Sequence, residues 1–140
     1  TGSAASYGPL DADPVAAGRQ VQLALYTEAV RQQLGRDVEV GAAYWFISTR
    51  AGFKRIELPL DSAAVRRRLL EVLGTVADGV REGLFPQVPG DEDEFRGTFE
   101  NCRYCDYTRI CPTLRYEHWD RKRGSAACQP FVALQPFVSP

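Results

Sequence analysis

The sequence predicts a mixed α/β domain, and three observations carry that expectation. A proline-free stretch from Gly18 to Leu34 places apolar residues at helical spacing. Two runs rich in aromatic and β-branched residues follow, separated by the short turn Thr49-Arg50-Ala51-Gly52. A second, longer helical pattern then closes the series before Phe85-Pro86 breaks the chain. The order helix, strand, strand, helix within 140 residues fits one domain or a piece of a larger one.

Residues 1–17, rich in Gly, Ala, Ser, Pro and Asp, read as a loop. The first helix is expected over 18–34, ended by Gly35, with Leu23, Val30 and Leu34 on its apolar face and Gln22, Tyr26, Ala29 and Gln33 as the neighbouring stripe. A strand is expected over 38–48. Its second part, Ala43 to Ile47, is apolar at every position, which predicts a strand covered on both sides. A second strand over 53–58 alternates with Lys54, Arg55 and Glu57 and is expected antiparallel to the first, nearer the edge. The long helix is expected over 61–83, with Asp61 or Ser62 as its cap, Val65, Leu69, Val72, Val76 and Val80 buried, and Gly83 at its C-terminal end. Gly74 and Gly79 weaken that helix unless another element approaches them closely. The acidic run 91–94 reads as loop, Leu114 to Arg123 as a short helix, and 124–140 as a tail whose Phe131, Val132, Leu134, Phe137 and Val138 suit docking.

Composition is 44% hydrophobic and 25% charged, ordinary for a globular protein. A net charge of −1 names no partner, but the charge is unevenly spread. Arg50, Lys54, Arg55, Arg66, Arg67 and Arg68 outnumber Glu57 and Asp61, and Asp91-Glu92-Asp93-Glu94 offsets them elsewhere. That distribution allows a locally positive face for a polyanion; a solvated mixed surface is the plain alternative. Arg66, Arg67 and Arg68 sit near a helix start, where the dipole disfavours cations, so either phosphate contact or simple exposure accounts for them. No apolar run reaches the ~20 residues of a membrane span, no signal peptide opens the chain, and clustered cysteines point to a reducing cytoplasm. The chain holds no Met and opens on Thr1, which reads as a fragment or a processed segment.

Three of the four cysteines, Cys102, Cys105 and Cys111, are spaced C-x2-C-x5-C. Such spacing turns thiolates toward one centre and suits either Zn2+ or an iron–sulfur cluster. Three unrelated core cysteines, or one disulfide and a spare thiol, is the competing reading. The fourth ligand stays open. Cys128 is a local candidate, while His118, beside Trp119 in a short helix, reads as a surface or packing residue. Tyr104, Tyr107, Tyr116 and Trp119 interleave with Arg103, Arg109 and Arg115, a mixture that suits single-stranded DNA. For Tyr104 and Tyr107, inside the cysteine loop, shielding of the metal centre is the preferred role.

Gln22 and Tyr26 stand at i, i+4 and share a helix face. The stretch Gly18 to Tyr26 resembles the Q-x-x-x-Y motif of RecB-like nucleases of the PD-(D/E)XK superfamily, and Thr1-Gly2 resembles the tail of that family's Asp-Tyr-Lys-Thr-Gly strand. Gly83-Leu84-Phe85-Pro86 followed by Cys102, Cys105, Cys111 and Pro112 resembles the close of the family's iron–sulfur branch, which includes AddB-type helicase–nuclease subunits. The resemblance covers about residues 1–123 and implies the C-terminal part of a restriction-endonuclease-like fold with a cysteine loop at 102–111, a short C-terminal helix and a tail at 124–140. It implies that Gln22 and Tyr26 support catalysis, orienting DNA or a catalytic lysine. It implies that Cys102, Cys105 and Cys111 hold a [4Fe–4S] cluster with an upstream cysteine. The catalytic acids, the lysine and the Mg2+ or Mn2+ they serve would also belong to an upstream segment. The implied activity is exonuclease processing of DNA ends, in DNA repair, beside a helicase subunit or domain. Two other readings stand beside it: a nuclease-like module that binds without cutting, and a self-contained zinc-binding interaction domain using Cys128.

Overall fold

The structure, a computed structural model, describes residues 10, 13–35, 37–58, 62–103 and 105–134. Thr1-Gly2, Asp61, the Ser62 side chain, Tyr104, Phe137 and Val138 lie outside the described residues. The chain divides into two compact units, Thr1–Ala77 with Leu134–Pro140, and Asp78–Ala133.

The first unit begins with a tight turn organised by Asp13. Its carboxylate accepts the backbone N–H of Val15 at 3.1 Å and of Ala17 at 2.8 Å. These bonds hold Ala16 at φ 45° and Ala17 at φ 54°, left-handed values costly for residues with a Cβ. Gly18, at φ 93°, completes the turn, and a Cβ there would lie 3.0 Å from Val72. The turn delays the first helix: α1 runs Gln22–Leu34, not from residue 18.

The buried stripe of α1 is Leu23, Ala24, Thr27 and Arg31, rotated from the expected Leu23, Val30 and Leu34. Val30 and Leu34 stand 37% and 65% exposed. Two polar residues tolerate burial because each is satisfied on the spot. Thr27 Oγ1 donates to the Ala24 carbonyl at 2.9 Å, and Arg31 donates to the Val40 carbonyl at 3.3 Å while pairing with Glu28 at 3.5 Å.

Strands β1 (Ala43–Trp45) and β2 (Arg55–Glu57) form an antiparallel hairpin with Ala43 opposite Glu57, Tyr44 opposite Ile56 and Trp45 opposite Arg55. Phe46 N–H to Lys54 O and Leu58 N–H to Ala42 O, both 2.9 Å, extend the pairing beyond the strands proper. One face of the hairpin, with Tyr44, Phe46 and Ile56, packs on the core. The expectation of cover on both sides is corrected: Trp45 is 67% and Ile47 84% exposed. The apolar run reflected two different faces, only one of which meets core among the described residues.

Helix α2 (Ser62–Glu82) buries Val65, Leu69 and Val72 at 2% exposure each. Val76 and Val80, expected on the same buried face, are 48% and 59% exposed, because the core of the first unit ends at Val72. Arg68 corrects the reading of the arginine run. Its guanidinium reaches back 55 residues to Asp13 at 3.0 Å, and also donates to the Leu134 carbonyl at 2.8 Å and to Glu71 at 2.9 Å. It is therefore neither a phosphate contact nor simply exposed. Burial pushes the Asp13 carboxyl up, but the Arg68 hydrogen bond and the Ala17 and Val15 N–H groups outweigh it and leave the carboxyl below its ordinary range.

In the second unit α2 ends at Gly83, φ 66°, with Gly83 N–H on Val80 O at 3.2 Å and Leu84 N–H on Gly79 O at 2.8 Å, a Schellman stop. Gly79 is where a close approach is needed: a Cβ would lie 2.6 Å from Phe131 and 3.0 Å from the Leu84 carbonyl. Gly74 meets nothing within 4 Å. The acidic run, expected as loop, contributes β3 (Glu92–Asp93), paired antiparallel with β4 (Thr98–Phe99) across a turn closed by Gly97 at φ 60°. Two-residue strands leave no periodic signal to read. After the cysteine segment come α3 (Arg115–Lys122), which buries Trp119, and α4 (Gln129–Leu134) where a tail was expected.

Two measurements test this account. Asp13→Asn is expected to cost about 1–3 kcal/mol at neutral pH, read as a lower denaturant midpoint. Because folding depresses the Asp13 pKa, its contribution is complete above the unfolded carboxylate value of about 3.9 and drains away as pH falls through the folded value, so the parent should lose more stability there than Asp13→Asn does. Gly74→Ala is expected to raise stability by about 0.5–1 kcal/mol, whereas Gly79→Ala lowers it, since overpacking of about 1–3 kcal/mol exceeds the helix gain.

Candidate functional site

The first sequence-predicted site lies on α1. With Leu23, Ala24, Thr27 and Arg31 facing the core, helical geometry turns Gln22 and Tyr26 away from it. Both are exposed, Tyr26 by 58%, and Gln22 Nε2 donates to Tyr26 Oη at 2.9 Å. The donation ties the two side chains into one polar unit. It leaves the Tyr26 O–H free to donate outward and the Gln22 Oε1 free to accept. Such a pair suits orienting a phosphate oxygen or an ammonium group without carrying charge.

The adjoining stripe of α1 and the N-terminal half of α2 enclose an open groove of about 830 Å3, lined by Leu25, Glu28, Gln32, Arg66, Arg67 and Leu70 among others. Arg66 is neutralised there by Glu28 at 2.9 Å, while Arg67 is exposed and has no carboxylate in ion-pair reach among the described residues. The arginine run thus has three fates: Arg68 structural, Arg66 paired, Arg67 available.

The cysteine stretch belongs to the second unit and is folded as two successive turns. A 3-10 turn over Glu100–Cys102 leads to Cys105, whose N–H meets Cys102 O at 3.3 Å. A second turn, Asp106–Arg109, starts from Cys105, and Cys111 N–H closes on Tyr107 O at 3.1 Å. Arg115 anchors the segment by donating to the carbonyls of Thr108 at 3.2 Å and Pro112 at 3.3 Å. All four thiols are free, with Cys105 exposed, Cys102 and Cys111 half-buried and Cys128 buried. The donors are right in kind for a thiolate-bound metal or cluster. Among the described residues no three His, Cys, Asp or Glu side chains are gathered to hold a metal ion.

The surrounding aromatics redistribute the expected roles. Tyr107 is 70% exposed, while Trp119 is buried and offers no face for stacking. Tyr116 stacks on Phe99 with centroids 6.2 Å apart and planes 11° from parallel. His118 Nδ1 accepts from Arg121 at 2.8 Å on the surface of α3. Sequence reasoning passed over the outer face of the β1–β2 hairpin, where the Arg55 guanidinium lies 5.1 Å from the Trp45 ring centroid. A four-residue turn over 49–52 would set Trp45 opposite Ile56, and the observed register differs from that by one residue, so the expected turn carried no signal of this pair.

The first unit thus joins a helix carrying a polar Gln–Tyr pair, an antiparallel hairpin and most of a long second helix, and the cysteine-bearing segment lies in the second unit. Residues 2–112 match the family model of the PD-(D/E)XK nuclease superfamily, and the chain belongs to that superfamily. No curated protein and no solved structure matches the chain. Membership brings with it nuclease-type function and interaction with DNA. No described helix is long and apolar enough to cross a membrane.

The thiol environments give a direct test. Under native, metal-free conditions Cys105 should be alkylated first and Cys128 only on unfolding, followed by peptide mass spectrometry.

Proposed function

We propose that this chain is the C-terminal part of a RecB-like nuclease domain of the iron–sulfur, AddB-type branch, acting as an exonuclease on DNA ends within a helicase–nuclease. The observation that carries the reading is the Gln22–Tyr26 hydrogen bond of 2.9 Å on the outward face of α1, inside the span matched by the superfamily. The pair acts as a positioning device. The Tyr26 hydroxyl donates to a phosphate oxygen, and the Gln22 amide oxygen accepts from the catalytic lysine. Gln22 has no charge to repel the phosphate, and its grip on Tyr26 restricts the phenol before substrate arrives, so less ordering remains at binding.

Cleavage by this family rests on carboxylates and a lysine, which this reading assigns to sequence upstream of Thr1, together with the Mg2+ or Mn2+ that activates water there. The proposal likewise assigns Cys102, Cys105 and Cys111, with a fourth thiolate from upstream, to a [4Fe–4S] cluster that fastens the domain. The thiolate chemistry supports this, and binding requires the two cysteine turns to close on the cluster. Zn2+ is the alternative occupant, and a cytoplasmic location suits either.

In the full-length protein, Tyr26→Phe and Gln22→Ala are expected to lower kcat/KM on linear DNA by about 10- to 100-fold with an unchanged melting curve. Activity equal to the parent in both would sink the assignment. Anaerobically purified protein should contain iron and acid-labile sulfide, lost in Cys105→Ser; zinc alone in the parent would replace the cluster by the alternative.

A further inference from the structure

We propose that the β3–β4 hairpin is a docking finger for a protein partner, with Phe95 as the anchor that enters an apolar pocket and Asp91, Glu92 and Glu94 as the carboxylates that meet cations around it. The finger lies wholly in the second unit, and the proposal stands apart from the nuclease reading.

The hairpin is fixed from its base outward. Pro89 is fully buried. Asn101 N–H donates to the Pro89 carbonyl at 3.0 Å, and Asn101 Nδ2 donates to the Val88 carbonyl at 3.2 Å. Gly90, at φ 78°, lies so near that a Cβ there would come within 3.0 Å of Asn101 Nδ2. Glu100 N–H then meets Asp91 O at 2.9 Å, and the register sets Glu92 opposite Phe99 and Asp93 opposite Thr98. Phe99 stacks on Tyr116, which fastens one strand to α3. At the far end Arg96 N–H closes a turn on Asp93 O at 3.0 Å, and Gly97 at φ 60° turns the chain back. Strands of two residues hold no shape alone, so the bonds at the base supply it.

Phe95 stands at the apex of that turn and is 96% exposed, the highest value among the large apolar residues described. Small and polar residues usually fill such positions. None of residues 91–97 is buried, so the finger builds no core. A lone exposed apolar side chain is ordinary on a surface. This one differs in that its backbone is tied down and a rim of unpaired charge surrounds it.

Charge decides the occupant. Residues 91–96 hold four carboxylates, Asp91, Glu92, Asp93 and Glu94, and one guanidinium, Arg96. Arg96 pairs with Asp93 at 3.9 Å. Asp91, Glu92 and Glu94 are exposed and have no cation in ion-pair reach among the described residues. Their mutual repulsion is relieved by cations brought from outside. Nucleic acid and anionic bilayers carry the same sign as the finger and are repelled. A protein surface on which Lys or Arg ring an apolar pocket answers both features. Aromatic anchors fill desolvated pockets at the centre of an interface, and charges around them steer the encounter. Because the backbone of the finger is already fixed, little ordering remains at docking.

The probe is an amphipathic peptide of about 14 residues made only of leucine and lysine, so that an apolar stripe runs between cations. A second peptide replaces every lysine by glutamate. Each carries fluorescein and is titrated with the full-length protein, read by anisotropy. The expected result is binding of the lysine peptide and none of the glutamate peptide. Affinity for the lysine peptide falls about tenfold in Phe95→Ala and stays near the parent's in Phe95→Leu. The double change Glu92→Gln, Glu94→Gln weakens binding and flattens its dependence on salt. All three side chains are exposed, so each variant should melt with the parent; if Phe95→Ala does not, Phe95→Leu and the contrast between the two peptides decide. Failure of the parent to bind the lysine peptide, equal affinity in Phe95→Ala, or equal binding of the two peptides overturns the proposal. Phosphatidylcholine vesicles or an oligothymidylate that bind the parent but not Phe95→Ala assign the tip to a membrane or to nucleic acid, and overturn it as well.

Discussion

The Asp13–Arg68 pair is the constraint on which the first unit depends. One carboxylate satisfies two backbone N–H groups of a strained turn and one guanidinium, and that guanidinium also satisfies the Leu134 carbonyl. Three stretches distant in sequence are fixed at once. Both side chains are about one-fifth exposed, so the interaction is neither screened like a surface pair nor as costly as a fully buried one. With the turn held, Gly18 approaches Val72 and α1 starts at Gln22. The start of α1 in turn puts the Gln–Tyr pair in its first two turns, facing outward.

Electrostatics and function meet in the arginine run. Three consecutive arginines look like one basic patch, but the helix distributes them about 100° apart. Each then meets different surroundings: Asp13 and Leu134 for Arg68, Glu28 for Arg66, and open solvent beside the groove for Arg67. The cations available to a polyanion are consequently fewer than the sequence count and are shifted toward Arg50 and Lys54 on the hairpin. Charge counts along a chain overstate a binding face whenever the fold consumes part of them.

Local signals were legible. The Val65, Leu69 and Val72 stripe, the Gly83 stop and the antiparallel hairpin all rest on spacings of a few residues, and the structure places each of them. The suggestion that Gly79 admits another element proved apt, with Phe131 as the visitor, while Gly74 has none. What escaped depends on partners far along the chain or on very short elements. Arg68 finds Asp13 across 55 residues, and β3 and β4 have only two residues each. The rotation of α1 escaped because Thr27 and Arg31 are polar, and their local satisfaction is invisible to a hydrophobic pattern. Of the candidate site, the sequence supplied the Gln–Tyr face, and the family match rests on residues 2–112. Ligand gathering by cysteines needs atoms from several segments, which spacing alone does not specify.

The buried stripe of α1 also bears on protein engineering. Thr27 and Arg31 are the positions a stabilisation scheme would first replace with aliphatic residues, and a greasier stripe could well gain free energy. The Arg31 hydrogen bond, however, ties the helix to one rotational setting, since Arg31 must find the Val40 carbonyl, whereas the Thr27 bond lies within the helix and turns with it. A uniformly apolar stripe accepts several settings of nearly equal energy, and each would swing Gln22 and Tyr26 through a different arc. Arg31, buried in α1, thus acts as an angular index for the helix, trading some stability for a single direction in which its outer face points.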